Sequence, residues 1–172
     1  MLKAAGCILI ITATTLAGEK KAADLKLQYL RLKELRQIFF LLQSEIRYAR
    51  TCLEEIFFSL GRQAKDPSRE WLFVLGRRLK KRENGRFEKV WTESIEETLK
   101  ASGLPEKEIQ RLEEMGSQLG IADVEMQVKA LELYLTQLSE SMEDIREEIK
   151  TKVRLYHCLG VMSGMLIVIL LM

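Results

Sequence analysis

Charge stops at both ends of this chain. Residues 4–18 carry none and are mostly apolar, and residues 155–172 carry no formal charge. Every acidic side chain, and every basic one except Lys3, lies between Glu19 and Arg154. A chain of this pattern can be held to a membrane at both ends with a water-facing domain looped out between. That geometry suits a fixed membrane component better than a diffusing enzyme. As a helix, residues 155–172 span about 27 Å, close to the roughly 30 Å hydrocarbon core. Tyr156 and His157 then fall at the interface, where amphipathic rings are favoured. The N-terminal run is shorter, and Thr15-Leu16-Ala17 also reads as the end of a signal peptide. Its direct passage into a helix-forming pattern favours an anchor. A lipoprotein does not fit, because Glu19 follows Leu16-Ala17-Gly18 where the lipidated Cys is needed.

Flanking cations set the orientation. Lys20, Lys21 and Lys26 follow the first segment, and Lys150, Lys152 and Arg154 precede the second. Such residues stay cytoplasmic. The expected division is an N-terminal transmembrane helix over 1–18, a cytoplasmic helical bundle over 19–154 and a C-terminal transmembrane helix over 155–172. Cleavage of the first segment would instead place the domain outside. Gly160 and Gly164 form a G-x-x-x-G that packs membrane helices closely, either the chain's own two or those of an oligomer.

The middle is rich in Glu, Lys, Leu, Arg and Ile, a composition of long helices. Leu25, Gln28, Leu32, Leu35, Phe39, Leu42, Ile46 and Ala49 recur at alternating spacings of three and four. Val124, Val128, Leu131, Leu135, Leu138, Met142, Ile145 and Ile149 do the same. Each stripe predicts a helix roughly 40 Å long. One leaves the membrane and the other returns, so they are placed to pair antiparallel. Ile38, Phe40 and Leu133 widen the stripes, which predicts further helices packed on them. Caps supply those helices. Thr51 with Glu54 reads as a capping box, and Asp66-Pro67 as an N-cap followed by Pro at the first helical position. Asn84-Gly85, Ser102-Gly103 and Met115-Gly116 read as stops, and Asp123 as the N-cap of the return helix. The fold class is all-α, a six-helix soluble bundle flanked by the two membrane helices.

Little in the chain carries chemistry. His157 is the only histidine, and Cys7, Cys52 and Cys158 have neither metal nor disulfide spacing. Phosphate-loop and dinucleotide patterns are absent. No enzyme and no cofactor are expected, and a net charge of +2 gives no bias towards nucleic acid. One charge cluster stands out: Arg77, Arg78, Lys80, Lys81, Arg82 and Arg86. It reads equally as a docking patch for an acidic partner or anionic lipid and as a solvated helix end.

The opening Met1-Leu2-Lys3 with Gly6 and Ile8-Leu9-Ile10, then Leu35-Arg36 and Leu42-Gln43-Ser44-Glu45-Ile46-Arg47-Tyr48, resemble stretches of the stage III sporulation protein AB family. Trp91 falls in that family's aromatic helix. Gly116, Leu119-Gly120, Asp123 and Gln127 match its turn-and-helix signature, the most specific piece. Thr51-Cys52-Leu53 stands where the family usually has Thr-Pro-Leu. The resemblance implies a two-pass protein of the mother-cell membrane facing the forespore, within the channel complex between the two cells. Its soluble region is similar to the cytoplasmic F domain of type II secretion systems, a platform between an assembly ATPase and membrane components. Implied partners are the complex's cytoplasmic ATPase and its other membrane subunits. The expected contacts are the basic cluster and the turn of Gly116, Leu119, Gly120, Asp123 and Gln127. A second reading is a membrane-tethered scaffold or sensor that oligomerises through a parallel, self-paired stalk; the platform reading needs an antiparallel pair within one chain.

Overall fold

The computed structural model describes the backbone of residues 2–48, 51–81, 86–120 and 123–171. Side chains are described for 20–48, 51–81, 86–120, 123–152 and 155. Among the described residues all regular structure is helical, in six helices. These are Leu2–Tyr48 (α1), Leu53–Gln63 (α2), Ser68–Lys80 (α3), Phe87–Thr98 (α4), Glu106–Leu119 (α5) and Val124–Leu171 (α6). The chain divides into two compact units. Met1–Tyr29 with Glu143–Met172 make one, and Leu30–Met142 the other.

Within Leu30–Met142, α1 and α6 run antiparallel. Arg36 Nε donates to Ser139 Oγ at 3.0 Å, and Arg47 Nη2 to Glu132 Oε1 at 2.9 Å. Rising numbers on one helix meet falling numbers on the other, as the paired stripes predict. The four shorter helices pack on this pair through aromatic side chains. Phe39 of α1 lies 4.7 Å from Tyr134 of α6, 6.3 Å from Trp71 of α3 and 6.4 Å from Trp91 of α4, centroid to centroid. Trp71 and Trp91 meet edge to face at 5.1 Å, and Phe57 of α2 joins Trp91 at 6.0 Å. The large rings dominate burial, and their offset geometries are the favourable ones. Each indole N–H has an acceptor: Trp71 Nε1 donates to Ser94 Oγ at 3.1 Å and Trp91 Nε1 to the Leu112 carbonyl at 2.7 Å.

In the other unit, the described side chains include buried Leu25 and Ile145. Glu143–Arg146 and Glu148–Lys152 pair one turn apart along α6. Among the described residues no helix is long and apolar enough to cross a membrane. Apart from Leu155, the side chains of the two expected anchors, Gly160 and Gly164 included, lie outside the described ones.

Several local expectations need correction. The buried stripe of α6 runs through Gln127, Val128, Leu131, Tyr134, Leu138, Ser141 and Ile145, while Val124 is 49% exposed. The core face is therefore turned from the heptad reading by one position at Tyr134 and Ser141, because α5 packs on that side. Of the residues that widened the stripes, Ile38 is buried, but Phe40 and Leu133 are 62% and 59% exposed. Thr51 makes no capping box. Cys52 holds the N-cap position of α2 with no side-chain cap, and its carbonyl accepts from Glu55 and Ile56. Pro67 occupies the N-cap position of α3 rather than its first turn. No side chain caps α3 there, and just before it the Lys65 N–H donates to Glu34 Oε1 of α1.

Candidate partner-binding surfaces

The basic cluster separates into members that hold the fold and members that face outward. Arg78 reaches from α3 to two carboxylates of α4, Glu93 Oε2 at 2.9 Å and Glu97 Oε2 at 2.6 Å. A guanidinium shared between two acids one turn apart clamps those helices together. Arg77 Nε returns to the Phe73 carbonyl of its own helix at 3.3 Å and stays exposed. Lys80 and Lys81 are exposed at the end of α3, where cations offset the helix dipole. Arg86 is exposed at the N-cap position of α4. Arg82 lies outside the described residues. The start of α3 is less basic: Arg69, whose guanidinium lies over Phe73 at 5.8 Å, shares an open groove of about 560 Å³ with Asp66, Glu70 and Arg77.

The turn cluster is largely internal. Gly116 is buried within α5 rather than ending it, and a Cβ there would lie 2.6 Å from Trp91 Cδ1 and 2.9 Å from Cγ. Only a glycine lets α5 approach that ring. Leu119 is 1% exposed, and its carbonyl accepts from Gln127 Nε2 at 2.8 Å, with Gln127 itself buried. All three are buried, where they pack and connect α5 to the start of α6. Gly120 and Asp123 are exposed. Gly120 caps α5 with an ordinary helical φ of −74°, so left-handed freedom is not its reason for being there. Asp123 Oδ1 accepts the Glu125 N–H at 2.9 Å and its carbonyl accepts from Gln127 N at 3.1 Å, the N-cap anticipated for α6.

A buried polar cluster that the sequence reading does not contain joins α5 to α6. Glu108 is 1% exposed. Its Oε1 accepts from Arg111 Nη1 at 2.8 Å and from Ser141 Oγ at 2.7 Å, and Arg111 also donates to Ser141 at 3.1 Å. Glu108 Oε2 and the Tyr134 hydroxyl are buried without a hydrogen-bond partner. Burial, and secondarily the nearby Glu108 carboxylate, push the Tyr134 phenol well above its ordinary range, with Arg111 opposing. The signal was present in the sequence, for Glu108 lies on the same helical stripe as Leu112, Met115 and Leu119. The cluster ties α5 to α6. With the carboxylate fully enclosed and its serine already bonded to it, the arrangement offers no open face to a substrate. Among the described residues no group of three His, Cys, Asp or Glu could hold a metal ion.

Comparison with known proteins places these features in a family context. The family model described as stage III sporulation protein AB matches residues 3–172. The stage III sporulation protein AB of Bacillus subtilis (strain 168) is 27% identical over 172 residues, with 100% of each chain covered. A solved structure of stage III sporulation protein AB superposes with a TM-score of 0.67 at 24% identity, covering 72% of this chain and 97% of that one, a likeness of fold.

Proposed function

We propose that this chain, which belongs to the stage III sporulation protein AB family, is a non-enzymatic membrane platform subunit of the channel between mother cell and forespore. In this reading it couples a cytoplasmic assembly ATPase to the other membrane subunits. The observation that carries the reading is the antiparallel α1–α6 pair. Because it forms within one chain, the polypeptide enters and leaves the Leu30–Met142 bundle at the same end. The uncharged segments 4–18 and 155–172 lie beyond those two exits. A helical domain looped from a bilayer, with its charge turned to water, is the form of a docking platform. The alternative scaffold reading needs the stalk helices to pair between copies in parallel, and the intrachain pair favours the platform. The F-domain similarity that the family resemblance implies would fit the same role by analogy of fold.

The exposed cations Arg77 and Lys80 are the surface assigned to an acidic face of the ATPase. The test is co-isolation of the cytoplasmic ATPase with full-length, tagged chain from sporulating cells. Arg77→Glu with Lys80→Glu should abolish recovery while the variant keeps its thermal stability. Undiminished recovery would remove this patch from the interface, and absence of the ATPase with the parent chain would remove the coupling role.

A further inference from the structure

On the side of the α1–α6 pair turned away from the short helices lies an open groove of about 540 Å³. Lys33, Arg36 and Phe40 line one lip, and Leu135 and Thr136 the other. Phe40 stands 62% exposed there, and Leu133, one turn from Thr136, is 59% exposed. Exposed aromatic and aliphatic side chains beside one groove mark a surface that expects a cover. The charge on the lips says what kind. The α1 lip carries Lys33 and Arg36, while Glu34 turns to the opposite side to hold Lys65. The α6 side carries Glu132 and the exposed Glu140. Glu132 already pairs with Arg47, whereas Lys33 and Glu140 make no ion pair among the described residues. An acidic helix would match one lip and a basic helix the other. A surface that is basic on one side and acidic on the other is matched by itself, turned over.

We propose that this face pairs with the same face of a second copy of the chain about a two-fold axis parallel to α1 and α6. Such an axis lays α1 of one copy on α6 of the other, antiparallel and at the same level. The intrachain bond from Arg36 to Ser139 fixes those levels. Phe40 of one copy then meets Leu135 of the other, an aromatic anchor on an apolar floor. Lys33 comes within a turn of the other copy's Glu140, completing two ion pairs that one copy leaves unmade. The axis also keeps the entry and exit ends of both bundles on one side, as two chains in one membrane require; only this point rests on the platform reading.

The test uses two differently tagged full-length copies in one membrane, with Cys7, Cys52 and Cys158 replaced by Ser. One copy carries Gln37→Cys and the other Thr136→Cys, exposed positions on the two lips. Mild oxidation should give a mixed-tag dimer about tenfold above a control pair using Ser117→Cys, on exposed α5 surface. Lys33→Glu in both copies should cut the yield roughly fivefold, and Lys33→Glu with Glu140→Lys should restore it. Phe40→Ala should also reduce it. A mixed-tag yield no greater than the control would overturn the pairing, and so would crosslinking only to a different protein. Failure of the double reversal to rescue would overturn the assigned register. None of these outcomes depends on recovery of the ATPase, so the two readings fail separately.

Discussion

Replacing Gly116 with Ala should destabilise the bundle, against the usual gain of about 1 kcal/mol for removing a glycine from a helix interior. The added methyl meets Trp91 Cδ1 at 2.6 Å. Trp91 cannot swing aside freely. Its ring is fully buried among Phe39, Phe57, Trp71 and Phe87, and its N–H is held at 2.7 Å by the Leu112 carbonyl, one turn before Gly116 on the same helix. Overpacking of a tight core costs about 1–3 kcal/mol. Loosening the indole hydrogen bond costs about 1 kcal/mol more. After the helix gain is subtracted, the net loss is about 2 kcal/mol, a fall in Tm of roughly 5–8 °C for a domain of this size. Thermal unfolding of the full chain in detergent, followed by tryptophan fluorescence, measures it. Gly120→Ala is the matched control, since its Cβ would meet nothing closer than 3.4 Å and the backbone is already helical. It should stay within about 0.5 kcal/mol of the parent. A Gly116→Ala chain as stable as the parent, or more so, would refute the close-approach reasoning.

Glu108→Ala should cost about 3–5 kcal/mol in denaturant unfolding, because it strands the Arg111 guanidinium and leaves Ser141 without its acceptor. Tyr134→Phe should be neutral or slightly stabilising at pH 7, since it removes a buried hydroxyl that has no partner. Its pH dependence has a definite sign. The folded-state pKa of Tyr134 is raised, so its contribution is present below the ordinary tyrosine value of about 10 and is lost as pH climbs beyond it. The variant's stability should therefore fall less steeply than the parent's above about pH 10. Asp123→Ala should lose about 1 kcal/mol with the α6 N-cap, read by thermal unfolding. Arg78→Ala should lower stability by about 0.5–1 kcal/mol while Lys80→Ala leaves it unchanged, separating the clamp from the outward-facing patch.

Helix number and the antiparallel pair were legible because apolar spacing of three and four survives whatever packs against it. Leu32, Leu35, Phe39, Leu42, Val128, Leu131 and Leu138 are all buried as that spacing requires. What spacing could not show is which flank of a wide stripe faces the other helices. Tyr134 took a core place that the heptad gave to Leu135, since a ring with a long reach fills the space opposite Phe39. Phe40 is apolar like its neighbours, yet it points outward. A carboxylate on an apolar stripe, such as Glu108, reads from sequence as a solvated edge, because only the folded placement of Arg111 and Ser141 encloses it. The basic cluster was visible as charge. The division between Arg78, held by α4, and Arg77 and Lys80, turned to water, depends on helix–helix placement that no local pattern encodes. The Thr51 capping box failed for a related reason: the helix begins after Cys52, one residue beyond the place the motif requires.

The most direct test of a platform looped from the membrane is side-specific labelling in intact cells. Cys52 is exposed in the bundle and serves as a native reporter once Cys7 and Cys158 are changed to Ser, with Met172→Cys reporting the far end in a parallel chain. A membrane-impermeant maleimide should label Met172→Cys in intact cells and reach Cys52 only after lysis. Labelling of Cys52 in intact cells would place the bundle outside, beyond reach of any cytoplasmic ATPase, and would rule out a cytoplasmic platform.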